Sequence, residues 1–378
     1  MNIFVAILSV LILGFILWDA FEAVVLPRRV TRQFRFTRLF YRGTWIIWSG
    51  IGRKIPTGRS WRDVYLGIYG PLSLILLLVV WAASLIFGFA LLQWSIGSQI
   101  KAPEIPTFTS DLYMSASTFF TLGLGDITPT SHVARAITVV ESGMGFGFLA
   151  LIISYLPVLY QAFSRRETDI SLLDARAGSP PTAVELLRRY IAADNVNELN
   201  EFLKNWELWS AEVLESHLSY PVLAYYRSQH SNESWLGALT MVLDVGALVM
   251  VGIEGVTPHQ AQLTFAMARH AVVDLCQVFD RAPDPAERYR LNDEQLENMR
   301  EILATIGVRL VPGMEAQQEL ARLRLMYEPF VIALAKHLLI QLPPWYAIQK
   351  RSDNWQTSAW DRVSMSLGSE KTDTEEHF

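Results

Sequence analysis

One stretch of this chain offers main-chain rather than side-chain chemistry: Thr118-Phe119-Phe120-Thr121-Leu122-Gly123-Leu124-Gly125-Asp126. Its alternating glycines free the backbone for torsions that other residues resist. A short helical run, Ser110 to Phe120, feeds the segment, and Asp126 closes it. Apolar stretches flank it, Val64 to Trp94 before and Val133 to Phe163 after. Each is long enough to cross about 30 Å of hydrocarbon. Irregular backbone at that depth is tolerated only where protein covers it or where it lines a water-filled cavity. A re-entrant helix and glycine-bearing strand between two spans is the layout of a pore loop. The chemistry on offer is dehydration, in which rings of backbone carbonyls replace the water shell of an entering ion.

The string Thr121-Leu-Gly-Leu-Gly-Asp126 resembles the selectivity filter of the potassium channel family, usually T-V-G-Y-G-D. The resemblance covers about 100 residues, Val64 to Arg165. It implies that the carbonyls of Thr121, Leu122, Gly123 and Leu124, with the Thr121 hydroxyl, coordinate K+, and that Gly125 completes the filter. Asp126 would support the filter from its outer end. The chain has one pore loop and no internal repeat, so a fourfold filter requires a homotetramer. Two departures matter. Leu124 stands where the family has an aromatic, and Tyr113 and Met114 stand where many members carry tryptophans. Leucine cannot tie the filter to the pore helix through a hydroxyl, but the carbonyl ligands survive the change. Some two-pore-domain members resemble this Gly-Leu-Gly-Asp variant, so the expected function is a potassium-selective channel subunit. The alternatives are a weakly selective monovalent cation channel and a nonconducting membrane scaffold or sensor.

The elements around the loop must position it. The third span would line the pore, with Gly143, Gly145 and Gly147 in its middle. Gly145 lies 22 residues after Gly123, the interval at which the resembled family places its hinge glycine. Close helix packing is the competing use of a small residue there. Pro157, near the cytosolic end, is placed to kink the helix at a gate. Glu141 is costly at mid-membrane and marks function or a buried partner. Bracing the filter from behind through Ser117 is one expectation for it; facing the ion cavity is the other. Thr109 or Ser110 would cap the pore helix, turning its negative C-terminal end toward the cation path.

Composition sets the wider frame. The chain has 378 residues, is 51% hydrophobic, and carries a net charge of −5. Residues 1–166 are basic, with 14 Lys+Arg against 7 Asp+Glu, and residues 167–378 are acidic, with 18 against 30. The lone Cys276 rules out an intrachain disulfide and fits a reducing compartment. Asn2 to Val25 reads as a retained first span with its N-terminus outside, Asp19 and Glu22 lying near its inner end. Ten basic residues between Arg28 and Arg62, with no acidic one, place that loop in the cytoplasm. Aromatic residues interleave its arginines, so it is expected to form an interfacial helix on anionic lipid headgroups rather than a voltage sensor. A prokaryotic plasma membrane with a cytoplasmic C-terminus follows as the expected location.

Beyond Arg166 the periodicity is helical. Helices are expected at Pro181–Ala193, Val196–Leu218, Pro221–Gln229, Glu233–Val251, Pro258–Phe279, Asp293–Ile306 and Gly313–Leu342. Asp244, central in the apolar run Leu236–Ile253, argues for a buried core helix rather than a fourth span. No dinucleotide, Walker or EF-hand pattern is present, and no hydrolase, redox or metalloprotease constellation. No enzyme activity, no cofactor beyond K+ as the permeant ion, and no nucleic-acid partner are expected. The expected fold is an all-α membrane protein with three transmembrane helices and one re-entrant pore loop per chain, plus an all-α cytosolic domain. Its parts are a first helix (1–26), a basic segment (27–63), a pore domain (64–165), a helical domain (166–362) and a disordered tail (363–378). Within the pore domain the pore helix is 110–120, the filter 121–126 and the inner helix 133–163.

Overall fold

The computed structural model describes residues 2–26, 35–56, 60–103, 105–191, 196–229, 232–283, 290–347 and 353–356. Arg28, Arg29, Arg32 and Arg59 of the basic segment, and the tail 363–378, lie outside them. Among the described residues the fold is all-α apart from one two-stranded ladder and an isolated bridge between Ile253 and Leu310, and the chain divides into two compact units. Met1–Phe163 with Val222–Tyr226 form the first; Ser164–Pro221 with Arg227–Phe378 form the second.

The first unit is built on a long apolar helix. Its elements are α1 (Ile3–Val24), α2 (Phe36–Lys54), α3 (Ser60–Ser95), β1 (Ile100–Lys101), α4 (Phe108–Phe119), β2 (Thr128–Pro129) and α5 (His132–Ser171). α1, α3 and α5 are each long and apolar enough to cross a membrane. Leu13 and Ile16 of α1 and Phe119 of α4 pack on the Leu77–Phe89 stretch of α3, so α3 is the spine against which the re-entrant helix rests.

Charged residues in α1 are satisfied by partners far along the chain. Asn2 N–H donates to the Ser95 carbonyl at 2.8 Å, tying the start of α1 to the end of α3. At the other end Asp19 is buried, and accepts from Thr37 N–H at 3.2 Å, Thr37 Oγ1 at 2.6 Å and Trp81 Nε1 at 3.1 Å. Thr37 is in the first turn of α2, so a carboxylate from α1 does the work of an N-cap and meets the positive end of the helix dipole. Glu22 accepts from Trp18 Nε1 at 2.7 Å and pairs with Arg35 at 3.6 Å.

α2 buries Trp45, Ser49 and Gly52 and leaves Leu39, Ile46, Ile47 and Ile51 exposed. Its inner face meets α3 through aromatic rings, Trp48 stacked on Tyr65 at 4.5 Å and Trp45 against Tyr69 at 4.7 Å. Tyr225 from the distant Val222–Tyr226 segment joins them, 4.8 Å from Trp45 and 5.1 Å from Tyr69. Only a 3-10 turn, Pro221–Tyr225, forms where the periodicity predicts a helix from Pro221 to Gln229. The Tyr225 ring is committed to this aromatic cluster, and polar residues follow it directly.

The second unit begins within α5 and continues through α6 (Asp174–Ala177), α7 (Ala183–Ile191), α8 (Val196–Ser219), α9 (Trp235–Gly252), α10 (His259–Val278), α11 (Asp293–Thr305), α12 (Met314–Leu325) and α13 (Glu328–Leu338). α9 is long and apolar enough to span a membrane, yet 83% of it is buried inside the protein. A helix apolar all round belongs in a core, and α9 is the core of this unit. Asp244 at its centre pairs with Arg290 and accepts from Tyr327 Oη at 2.5 Å. The single helix expected over Gly313–Leu342 is two, α12 and α13. Pro329 lacks an N–H for the ladder and its ring would clash with the carbonyl four residues earlier, so the chain breaks around Tyr327 and the proline falls in the first turn of α13.

Candidate functional site

The glycine-bearing loop is delivered by α4 and recovered by α5. α4 starts earlier than expected, with Thr107 rather than Thr109 or Ser110 as its N-cap; the Ser110 hydroxyl accepts from Thr107 N–H at 3.3 Å. At its C-terminus the chain tightens: Thr121 N–H donates to the Thr118 carbonyl at 3.0 Å and Leu122 N–H to Ser117 at 2.8 Å. Thr121, Gly123 and Gly125 then carry positive φ, 55°, 59° and 80°. Leu122 and Leu124 between them do not. This alternation occupies the left-handed region at every second residue, conformations a regular strand or helix never combines. For the β-branched Thr121 that region is strained, whereas Gly123 and Gly125 reach it freely.

A backbone ladder holds the loop in place. β1 and β2 pair antiparallel, Ile100 with Pro129 and Lys101 with Thr128, and Thr130 N–H donates to the Gln99 carbonyl at 2.9 Å. The chain entering α4 is thereby joined to the chain leaving the loop. The Tyr113 hydroxyl of α4 lies near the Asp126 carboxylate.

Behind the loop, α4 and α5 meet in register over one turn. Glu141 is fully buried, and its partner is Ser115, not Ser117. The Ser115 hydroxyl also reaches the Ile86 carbonyl at 2.8 Å, so one serine links α3, α4 and α5. Ser117 contributes its carbonyl to the turn that starts the loop. Burial of Glu141 within one chain favours bracing over an acid facing the ion cavity. Four residues on from Glu141, a Cβ on Gly145 would lie 2.0 Å from the carbonyl oxygen of Phe119, itself four residues on from Ser115. Gly145 therefore sits where two backbones touch. A Cβ on Gly143 or Gly147 would meet nothing within 4 Å. α5 runs through Pro157 without interruption to Ser171.

Sequence patterning pointed to the loop, to Glu141 and to Gly145. It missed Ser115 and the β1–β2 ladder. It also missed His217 in α8, fully buried and held as the neutral ring: Nδ1–H donates to the Val213 carbonyl at 2.7 Å, while Nε2 accepts from Arg166 at 3.2 Å. Burial and the Arg166 charge push its pKa down to about 3. Among the described residues no cluster of metal-ligating side chains is present.

With the loop between two spans, residues 74–161 match the family model described as ion channel. The chain thus carries a pore-loop ion-channel domain, running from mid-α3 to the far part of α5, and is a membrane protein. It is 23% identical over 223 residues to the uncharacterized membrane protein YdjJ of Bacillus subtilis (strain 168). The match takes in 57% of this chain and 63% of that protein, less than two thirds of its length. No solved structure matches.

Proposed function

We propose that the chain is one subunit of a homotetrameric potassium channel in which the carbonyls of Thr121, Leu122, Gly123 and Leu124 coordinate K+. The observation that carries this is the alternation of positive φ at Thr121, Gly123 and Gly125 in a loop held between α4 and α5. Fourfold assembly is supported by what one chain leaves uncovered. Leu122 and Leu124 are 63% and 64% exposed, and only 11% of the most apolar stretch of α5 is buried, against 56% for α3. Lipid could cover the apolar face of α5. It could not cover the loop, whose backbone polar groups need protein or water at membrane depth. Three further copies around a water-filled axis would supply both.

Asp126 and Glu141 support the filter, through Tyr113 and Ser115 respectively. Pro157 is the position in α5 at which gating would act, and Gly145 seats α5 against Phe119. The basic segment Arg28–Arg62 meets anionic headgroups of a prokaryotic plasma membrane from the cytoplasmic side, with the exposed isoleucines of α2 dipping among the lipids. The acidic helical unit is cytoplasmic.

The test is a reversal potential across a bilayer holding the purified protein, with potassium on one side and sodium on the other. A value near the potassium equilibrium potential is expected. A value near zero would assign the weakly selective channel, which Leu124 favours because its side chain has no hydroxyl to lock the filter diameter.

A further inference from the structure

The second unit holds a cleft of about 650 Å3 that conduction does not use. Ligand pockets run from about 300 to 1,000 Å3, so this volume suits a small organic molecule. The last turns of α5, at Arg165 and Asp169, and Leu172 just beyond them form one wall, and α8 forms another. Along it runs a ribbon of rings that are largely buried and reach the cleft by their edges. Phe202 lies 5.5 Å from Tyr190 of α7 and 5.7 Å from Trp206, and Trp206 lies 4.5 Å from Trp209, centroid to centroid. Adjacent aromatic rings offer an apolar surface that also attracts positive charge.

Charge sets the sign of the occupant. Asp169, Glu198, Glu201 and Glu212 line the cleft, against only Arg165 and Arg176. Arg165 comes no closer than 3.9 Å to Glu212 and is 74% exposed. Arg176 turns back to donate to the Leu172 carbonyl at 3.0 Å. Among the described residues Glu198 and Glu201 enter no ion pair. An anion would face the larger set of carboxylates, whereas a cation finds countercharge beside aromatic rings.

We propose that this cleft binds an organic cation, an amine or quaternary ammonium on an apolar body. The body lies on the Phe202–Trp209 rings and the charge lies among Asp169, Glu201 and Glu212. Nothing in this depends on which ion the pore conducts. The experiment is calorimetric titration of the full-length protein in detergent with benzyltrimethylammonium, and separately with AMP as an anion that also carries a flat ring. Saturable binding of benzyltrimethylammonium is expected, weakening when salt is raised and falling about tenfold in an Asp169→Asn, Glu201→Gln double variant. Circular dichroism checks that the variant folds; if it does not, the exposed Glu201→Gln alone should weaken binding about threefold. Three results would each overturn the proposal: no saturable heat with benzyltrimethylammonium, tighter binding of AMP, or an affinity unchanged in folded variants.

Discussion

Two buried side chains set how individual residues should behave. Glu141 and Ser115 join the inner helix to the pore helix, and through the Ile86 carbonyl to α3. Glutamine at position 141 keeps the length and offers an N–H to the Ser115 oxygen. Glu141→Gln should therefore leave conductance unchanged while altering inactivation of the filter, and reduced conductance would instead indicate a cavity-facing acid. Glu141→Ala removes the link and leaves a void, and should lower thermal stability by about 1–3 kcal/mol. His217 sets a pH dependence in the second unit. Its pKa lies near 3 in the folded chain against an ordinary 6.5, so the unfolded chain binds the proton more readily. The stability this contributes is complete above pH 6.5 and is lost as the pH falls toward 3, by about 1.4 kcal/mol per pH unit. His217→Gln, whose amide can still donate to Val213 and accept from Arg166, should flatten that slope between pH 6.5 and 5. Denaturant midpoints of the helical unit measure this; equal slopes in both proteins would remove His217 as the cause.

At the scale of elements, the α4–α5 contact decides between two uses of a glycine. Phe119 and Gly145 touch through backbone atoms, which cannot yield as a flexible side chain would. Gly145→Ala should therefore force the two helices apart and cost about 1–3 kcal/mol. Gly143→Ala, which meets open space within one chain, should gain up to about 1 kcal/mol of helix propensity. Melting temperatures of the two variants in detergent compare them directly, and a harmless Gly145→Ala would return the residue to a hinge role. The same contact shows what the sequence could reveal. Two apolar runs and the glycine alternation located the re-entrant loop, since both signals are local. Choosing Ser115 over Ser117 needs the rotation of α4 about its axis, because residues two apart face nearly opposite sides. Asp19 was legible as an acid needing a partner, but its role in starting α2 is a meeting of distant segments that no local pattern encodes. The break between α12 and α13 had a local signal in Pro329, masked by an apolar periodicity that continues across it.

At the scale of the whole molecule, the filter proposed here does not exist in one chain. Its residues are exposed, one of them, Thr121, holds a strained torsion, and each layer of carbonyls needs three more copies to surround an ion. Ions bound on the shared axis would then be ligands of the tetramer and not of the separated subunit. Mass action requires such a ligand to stabilise the form that binds it, by about 2.7 kcal/mol at a hundredfold excess over its dissociation constant. The mass of the purified protein in detergent should equal four chains of 42.8 kDa. Its dissociation temperature should be higher in potassium chloride than in sodium chloride at the same ionic strength, because matched salts screen surface charge alike and differ only at the axis. Leu124→Tyr, which restores the aromatic typical of the resembled filter, should widen that gap if the hydroxyl stiffens the ring of carbonyls. A tetramer indifferent to the choice of salt would mean the four loops do not form an ion site selective for potassium, and an assembly of any other size would remove the fourfold axis itself.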